Sequence, residues 1–189
     1  MHKRTGPWVV RLGAIACGVC HAFAGAVAPG VWYEFAFDPN HSPLASGCLP
    51  AGPSGVPLCR VGVGATFLDT PPWIFMASTP VLFKITDSSL SGDFFDVRDF
   101  GSAVASTPAV ALFANCGVDP NICFADPLIS HTSFVLPAGA HSITIFVHPA
   151  QIEGEGFFRF DAVPEPSTVW LLGSGLMALW AIAARKAGV

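Results

Sequence analysis

Positive charge is scarce in this chain. Only nine of its 189 residues are Lys or Arg, against thirteen Asp and Glu. The scarcity is sharper in the middle, because Lys3, Arg4, Arg11, Arg185 and Lys186 sit near the two ends while every acidic residue lies between Glu34 and Glu165. That interval holds Arg60, Lys84, Arg98 and Arg159 against all thirteen acids, a net −9. Binding to phosphate backbones needs clustered Lys and Arg, so nucleic acid is excluded as a partner. An acidic middle instead favours solubility and offers carboxylates to divalent ions.

Long helical periods are missing as well. Between residues 25 and 163 no extended stretch repeats its apolar residues every 3.6 positions, and the 17 prolines and 19 glycines of the chain oppose long helices. Internal repeats are absent. So are a Gly-x-Ser-x-Gly elbow, a His-Glu-x-x-His helix and a phosphate-cradling glycine loop, which leaves no motif for acyl transfer, zinc hydrolysis or nucleotide chemistry. No enzymatic activity and no cofactor are expected.

What the middle does contain is alternation. Val31, Tyr33, Phe35 and Phe37 line one face of residues 31–37, and Val81, Phe83 and Ile85 oppose Lys84 and Thr86. Phe95 and Val97 oppose Asp96 and Arg98 in 93–100, and Ile143, Ile145 and Val147 alternate with Ser142, Thr144 and His148. Further strands are expected at 65–68, 73–76, 102–106, 110–113, 130–136 and 156–162. Eight to ten short strands separated by turn residues, with sixteen phenylalanines to fill a core, predict an all-β antiparallel sandwich of jelly-roll type over residues 25–163.

The two ends read as transit segments. A basic start is followed by apolar 12–19 and by small-x-small sites around Ala24 and Ala26, which predicts a signal peptide of 24 or 26 residues. Cys17 and Cys20 leave with it. Cys48, Cys59, Cys116 and Cys123 remain, with no CxxC pair among them, so a zinc site is not expected. Each neighbouring pair flanks a Pro/Gly-rich loop, which favours Cys48–Cys59 and Cys116–Cys123 as disulfides in an oxidising compartment.

At the other end, Pro164-Glu165-Pro166 precedes an apolar run, and Arg185 and Lys186 follow. As a helix, residues 167–184 span about 27 Å, close to the thickness of a bilayer core. Arg185 and Lys186 stop transfer on the cytoplasmic side, which leaves the motif outside. The two prolines favour an extended backbone suited to a protease cleft. The string Val163-Pro164-Glu165-Pro166-Ser167-Thr168, the apolar segment with Gly173-Ser174-Gly175 and the Arg-Lys pair resemble the PEP-CTERM sorting signal. That resemblance implies handling by exosortase, a transpeptidase-like membrane cysteine protease of Gram-negative bacteria that make exopolysaccharide. It further implies an inner-membrane-anchored precursor, cut near Pro164–Pro166 and then placed at the cell surface or released. Ile85-Thr86-Asp87, 91–97 and 141–145 also resemble a β-rich domain found ahead of such tails, which implies a fold more than a function.

For the mature domain two roles stand beside each other. One is a non-enzymatic surface or matrix protein; the alternative is a carbohydrate-binding module, including a calcium-dependent one, acting on exopolysaccharide. Trp32 and Trp73 are the aromatic candidates for a sugar-binding face. Asp87, Asp93, Asp96 and Asp99 form the densest acidic group and, together with Asp119 or Asp126, offer oxygen ligands for calcium, although EF-hand spacing is absent. Glu153 and Glu155 are the sole support for a hydrolase.

Overall fold

The computed structural model describes residues 26–38, 43–48, 59, 62–149 and 153–163. In chain order the elements are β1 (Trp32–Phe37), β2 (Ser46–Gly47), β3 (Ala65–Phe67), β4 (Trp73–Ala77), β5 (Val81–Asp87), β6 (Ser89–Leu90), β7 (Phe94–Asp99), β8 (Ser102–Ser106), β9 (Asn115–Gly117), α1 (Pro120–Ala125), β10 (His131–Leu136), β11 (Gly139–His148) and β12 (Gly154–Ala162). The all-β expectation holds, and the pairing is antiparallel apart from β1 with β3.

Two sheets carry the architecture. The larger runs β10-β5-β12-β1, with β2 and β3 sharing the far edge of β1; the smaller runs β4-β11-β7-β8. Their inner faces are aromatic. Phe35, Phe83, Phe158 and Phe160 from the larger sheet meet Trp73, Phe75 and Phe95 from the smaller. Trp73 and Phe158 lie 5.0 Å apart by ring centroid, Phe35 and Phe95 meet edge-on at 5.2 Å, and Phe75 stacks on Phe160 at 4.1 Å. The alternation of β11 survives intact: Ile143, Ile145 and Val147 are buried while the positions between them are partly exposed.

The structure departs from the sequence reading in two elements. Residues 110–113 form no strand; Leu112 and Phe113 project outward, Phe113 has φ +82°, and the ladder is made instead by β9 pairing with β6. β1 was expected to bury only its odd positions, yet all six of its residues are buried. Trp32 is packed against Phe124 of α1, and Arg159 lies over its outer ring face, so the second face of this strand is covered too. The short helix itself is capped by the Asp119 carboxylate, which accepts from the Asn121 N–H, with Pro120 at its first position.

Both disulfides join the expected partners, Cys48 to Cys59 and Cys116 to Cys123. The second ties α1 to β9 around a small cluster with Ile129. Its loop of seven residues predicts that replacing both Cys116 and Cys123 by serine lowers stability by about 2–3 kcal/mol, read as a drop of roughly 5–10 °C in the melting temperature under non-reducing conditions. An unchanged melting temperature would contradict it.

Candidate functional site

Three features of the described residues bear on function: the point where the sorting tail leaves the domain, a group of buried acids at the opposite end, and His–Asp contacts on the smaller sheet.

The tail leaves from β12, a central strand. Ala162 pairs with Val81, and the Val163 N–H donates to the Pro80 carbonyl at 3.2 Å, so the chain is held in register up to the last described residue. The N-terminal arm ends at the same place. Gly30 N–H donates to Phe160 O at 2.8 Å, and Ala28 N–H to the Tyr33 hydroxyl at 2.7 Å. Pro164, Glu165, Pro166, Arg185 and Lys186 lie outside the described residues, as do residues 1–24, expected to form a signal peptide, and the expected membrane segment 167–184. Among the described residues no helix is long and apolar enough to cross a membrane.

At the far end of the same strands, carboxyl groups are buried that sequence reasoning either placed on surface turns or missed. Glu34 is wholly inaccessible. Its Oε2 accepts from the Gly62 N–H at 2.9 Å, and its Oε1 has no hydrogen-bond partner. Burial pushes its pKa from 4.5 to about 7; the Gly62 N–H opposes this and neighbouring Glu155 adds to it. Glu155 in turn accepts from the hydroxyls of Ser88 and Ser89. Asp87, also fully buried, accepts from the Ser88 N–H at 2.8 Å, while its Oδ2 has no partner. Burial and then the charge of Asp93 raise it from 3.8 to about 8, against the N–H groups of Ser88, Asp93 and Gly92. No local pattern marked Glu34, because its strand face is covered from Gly62, 28 residues further along the chain.

The four aspartates considered for calcium do not form one site. Asp87 and Asp93 are neighbours inside the fold, but Asp96 and Asp99 belong to the smaller sheet and serve histidines there. Asp99 Oδ2 contacts His141 Nδ1 at 2.8 Å while its Oδ1 accepts from the Ser142 N–H; His141 Nε2 contacts Pro137 O at 2.9 Å. Asp96 bonds Ser106 and His148, and these hold its pKa below the usual carboxylate range. Both pairs tie neighbouring strands together. Among the described residues the remaining close group is Glu34 with Cys48 and Cys59, whose ligand atoms lie within 4.8 Å of one another. Sulfur in a disulfide is not a thiolate, so this trio is no metal centre.

Trp32 and Trp73 are not available for a sugar-binding face. Trp32 is 5% exposed and donates from Nε1 to Asn121 Oδ1; Trp73 is 0% exposed and donates to Asp69 O. Each indole N–H has found an internal partner, as buried tryptophans do. Of the two acids behind the hydrolase reading, Glu153 is exposed and Glu155 is buried on its serines.

Fold and site together define an acidic, disulfide-bonded all-β domain that hands its last strand straight to a sorting segment. Residues 162–186 match the family described as the PEP-CTERM protein-sorting motif. The match begins inside β12, at Ala162. It marks the chain as an exported protein sorted through an exosortase-type enzyme to the surface of a Gram-negative cell. No curated protein and no solved structure matches the chain.

Proposed function

We propose that this is a non-enzymatic cell-surface or extracellular-matrix protein, made as an inner-membrane-anchored precursor and cut near Pro164–Pro166. The observation that carries this reading is the sorting motif at 162–186, launched directly from a folded strand. Two disulfides and a shared aromatic core suit a body that must persist outside the cell. The His–Asp contacts at Asp96 and Asp99 support a structural role, because each joins strands of the smaller sheet.

Intact-mass measurement of envelope and extracellular fractions tests it. The exported form should lack the residues after about Pro166, and a variant without residues 164–166 should accumulate as full-length precursor in the inner membrane. Mature material that retains its tail, or unchanged export of the deletion variant, would overturn the reading.

A further inference from the structure

The two poles of this sandwich differ in charge. The pole where the tail leaves includes 26–31, 76–81, 135–140 and 162–163, segments without Asp, Glu, Lys or Arg, while Asp99 of the adjoining β7 end is engaged by His141. That they share one pole follows from the register: Leu136 pairs with Val81, Val81 with Ala162, and Ala77 with Gly139. At the other pole, at the far ends of β1, β5 and β12, lie Asp38, Asp87, Asp93, Glu153 and Glu155.

The uncharged pole also exposes apolar surface. Met76 is 74% exposed and Val135 58%. Beside Met76 a groove of about 140 Å³ is lined by Val27, Pro29, Met76, Val81, Phe160 and Ala162, so it opens where the tail begins.

We propose that this uncharged pole lies against the lipid surface while the precursor is anchored. The inference rests on the reading of 167–184 as the anchor. Between Val163 and Ser167, where that segment starts, lie only three residues, Pro164 to Pro166, and the four Cα-to-Cα steps span at most ~14 Å. Headgroups take up about 5–7 Å of that on the outer side. The clearance left is under about 10 Å, less than the spacing of two packed sheets, so the pole cannot swing away from the bilayer. A charged pole would oppose such an approach through desolvation, and exposed Glu153 at the far pole would be repelled by anionic lipid. The fold places Glu153 where that repulsion is weakest, and apolar Met76 and Val135 are exposed near the tail.

Hydrogen exchange on the full-length precursor in phosphatidylethanolamine–phosphatidylglycerol vesicles tests the proposal. The comparison is with a precursor carrying twenty Gly/Ser residues inserted after Val163, and with the surface variant Met76→Glu/Ser78→Glu/Ala138→Glu. Amides of 77–79 and 138–140 should exchange several-fold more slowly in the natural precursor than in either variant, while those of 88–93 stay equal. Equal exchange at 77–79 and 138–140 in all three overturns the inference. Slowing that appears only when the processing enzyme is added overturns it as well, because the pole then docks protein. Flotation of the same vesicles reports separately on the anchor: a chain that does not float defeats the underlying reading, whereas one that floats with an unprotected pole defeats this inference alone.

Discussion

Asp87→Asn is expected to raise stability at pH 8 and to remove most of the pH dependence of unfolding. The Asp87 carboxyl is fully buried and beside Asp93, and its pKa is raised from 3.8 to about 8. A carboxyl that titrates higher in the folded chain than in the unfolded chain favours folding at low pH. Its contribution is complete below about pH 4, falls as pH climbs towards 8, and is gone above that. The full span is on the order of 5 kcal/mol. Glu34, raised from 4.5 to about 7, declines over the same range. The wild-type melting temperature should therefore fall by roughly 15–20 °C between pH 5 and pH 8.

Asparagine keeps the oxygen that accepts from the Ser88 N–H and sets no second charge against Asp93. It cannot ionise. Melts at pH 5, 6, 7 and 8 would show the variant crossing above wild type at the alkaline end. Parallel curves for the two proteins would mean that Asp87 is not the group responsible. Asp161 works in the opposite direction. Although burial alone would raise it, Arg159 and Lys84 hold it below the ordinary range, so its share is lost on acidification. The stability optimum consequently falls at mildly acid pH, between the two effects.

The outcome at Asp87 and Glu34 shows what the sequence could convey. Alternation located β5, β7 and β11 because one side of each strand meets the opposite sheet and the other meets solvent. The same signal cannot say that a polar face is covered by elements distant in sequence. Glu34 is covered from the segment around Gly62, and Trp32 from Asn121 and Phe124, so their burial depends on contacts that no local window contains. Grouping Asp87, Asp93, Asp96 and Asp99 failed for a related reason. Nearness along the chain does not survive the crossing from β5 to β7, which lie in different sheets. The disulfides were legible because both loops are short, and the sorting tail because its order of proline, acid, apolar run and basic pair is local by nature. The segment 110–113 was misread since a short apolar run fits a strand or an exposed loop equally well.

Phe158→Ala should be among the most damaging single changes in the domain. Its ring meets Tyr33 at 5.7 Å, Phe35 at 6.4 Å, Trp73 at 5.0 Å and Phe83 at 5.4 Å, with no exposed surface. Trp73 belongs to the smaller sheet and the other three to the larger, so this one ring bridges the two layers. Truncation forfeits the transfer free energy of the side chain and leaves a cavity that neighbouring rings, fixed by their strands, cannot fill. The expected loss is about 3–5 kcal/mol, a large share of the stability of a domain this size. Phe158→Leu should lose less, because it retains most of the volume. Phe113→Ala serves as the control: this ring is 87% exposed, and its removal should change stability by no more than ~0.5 kcal/mol. Urea titration of the three variants ranks them. If Phe158→Ala unfolds at the same midpoint as Phe113→Ala, the two sheets are not held together through this ring, and the aromatic interlayer described above is wrong.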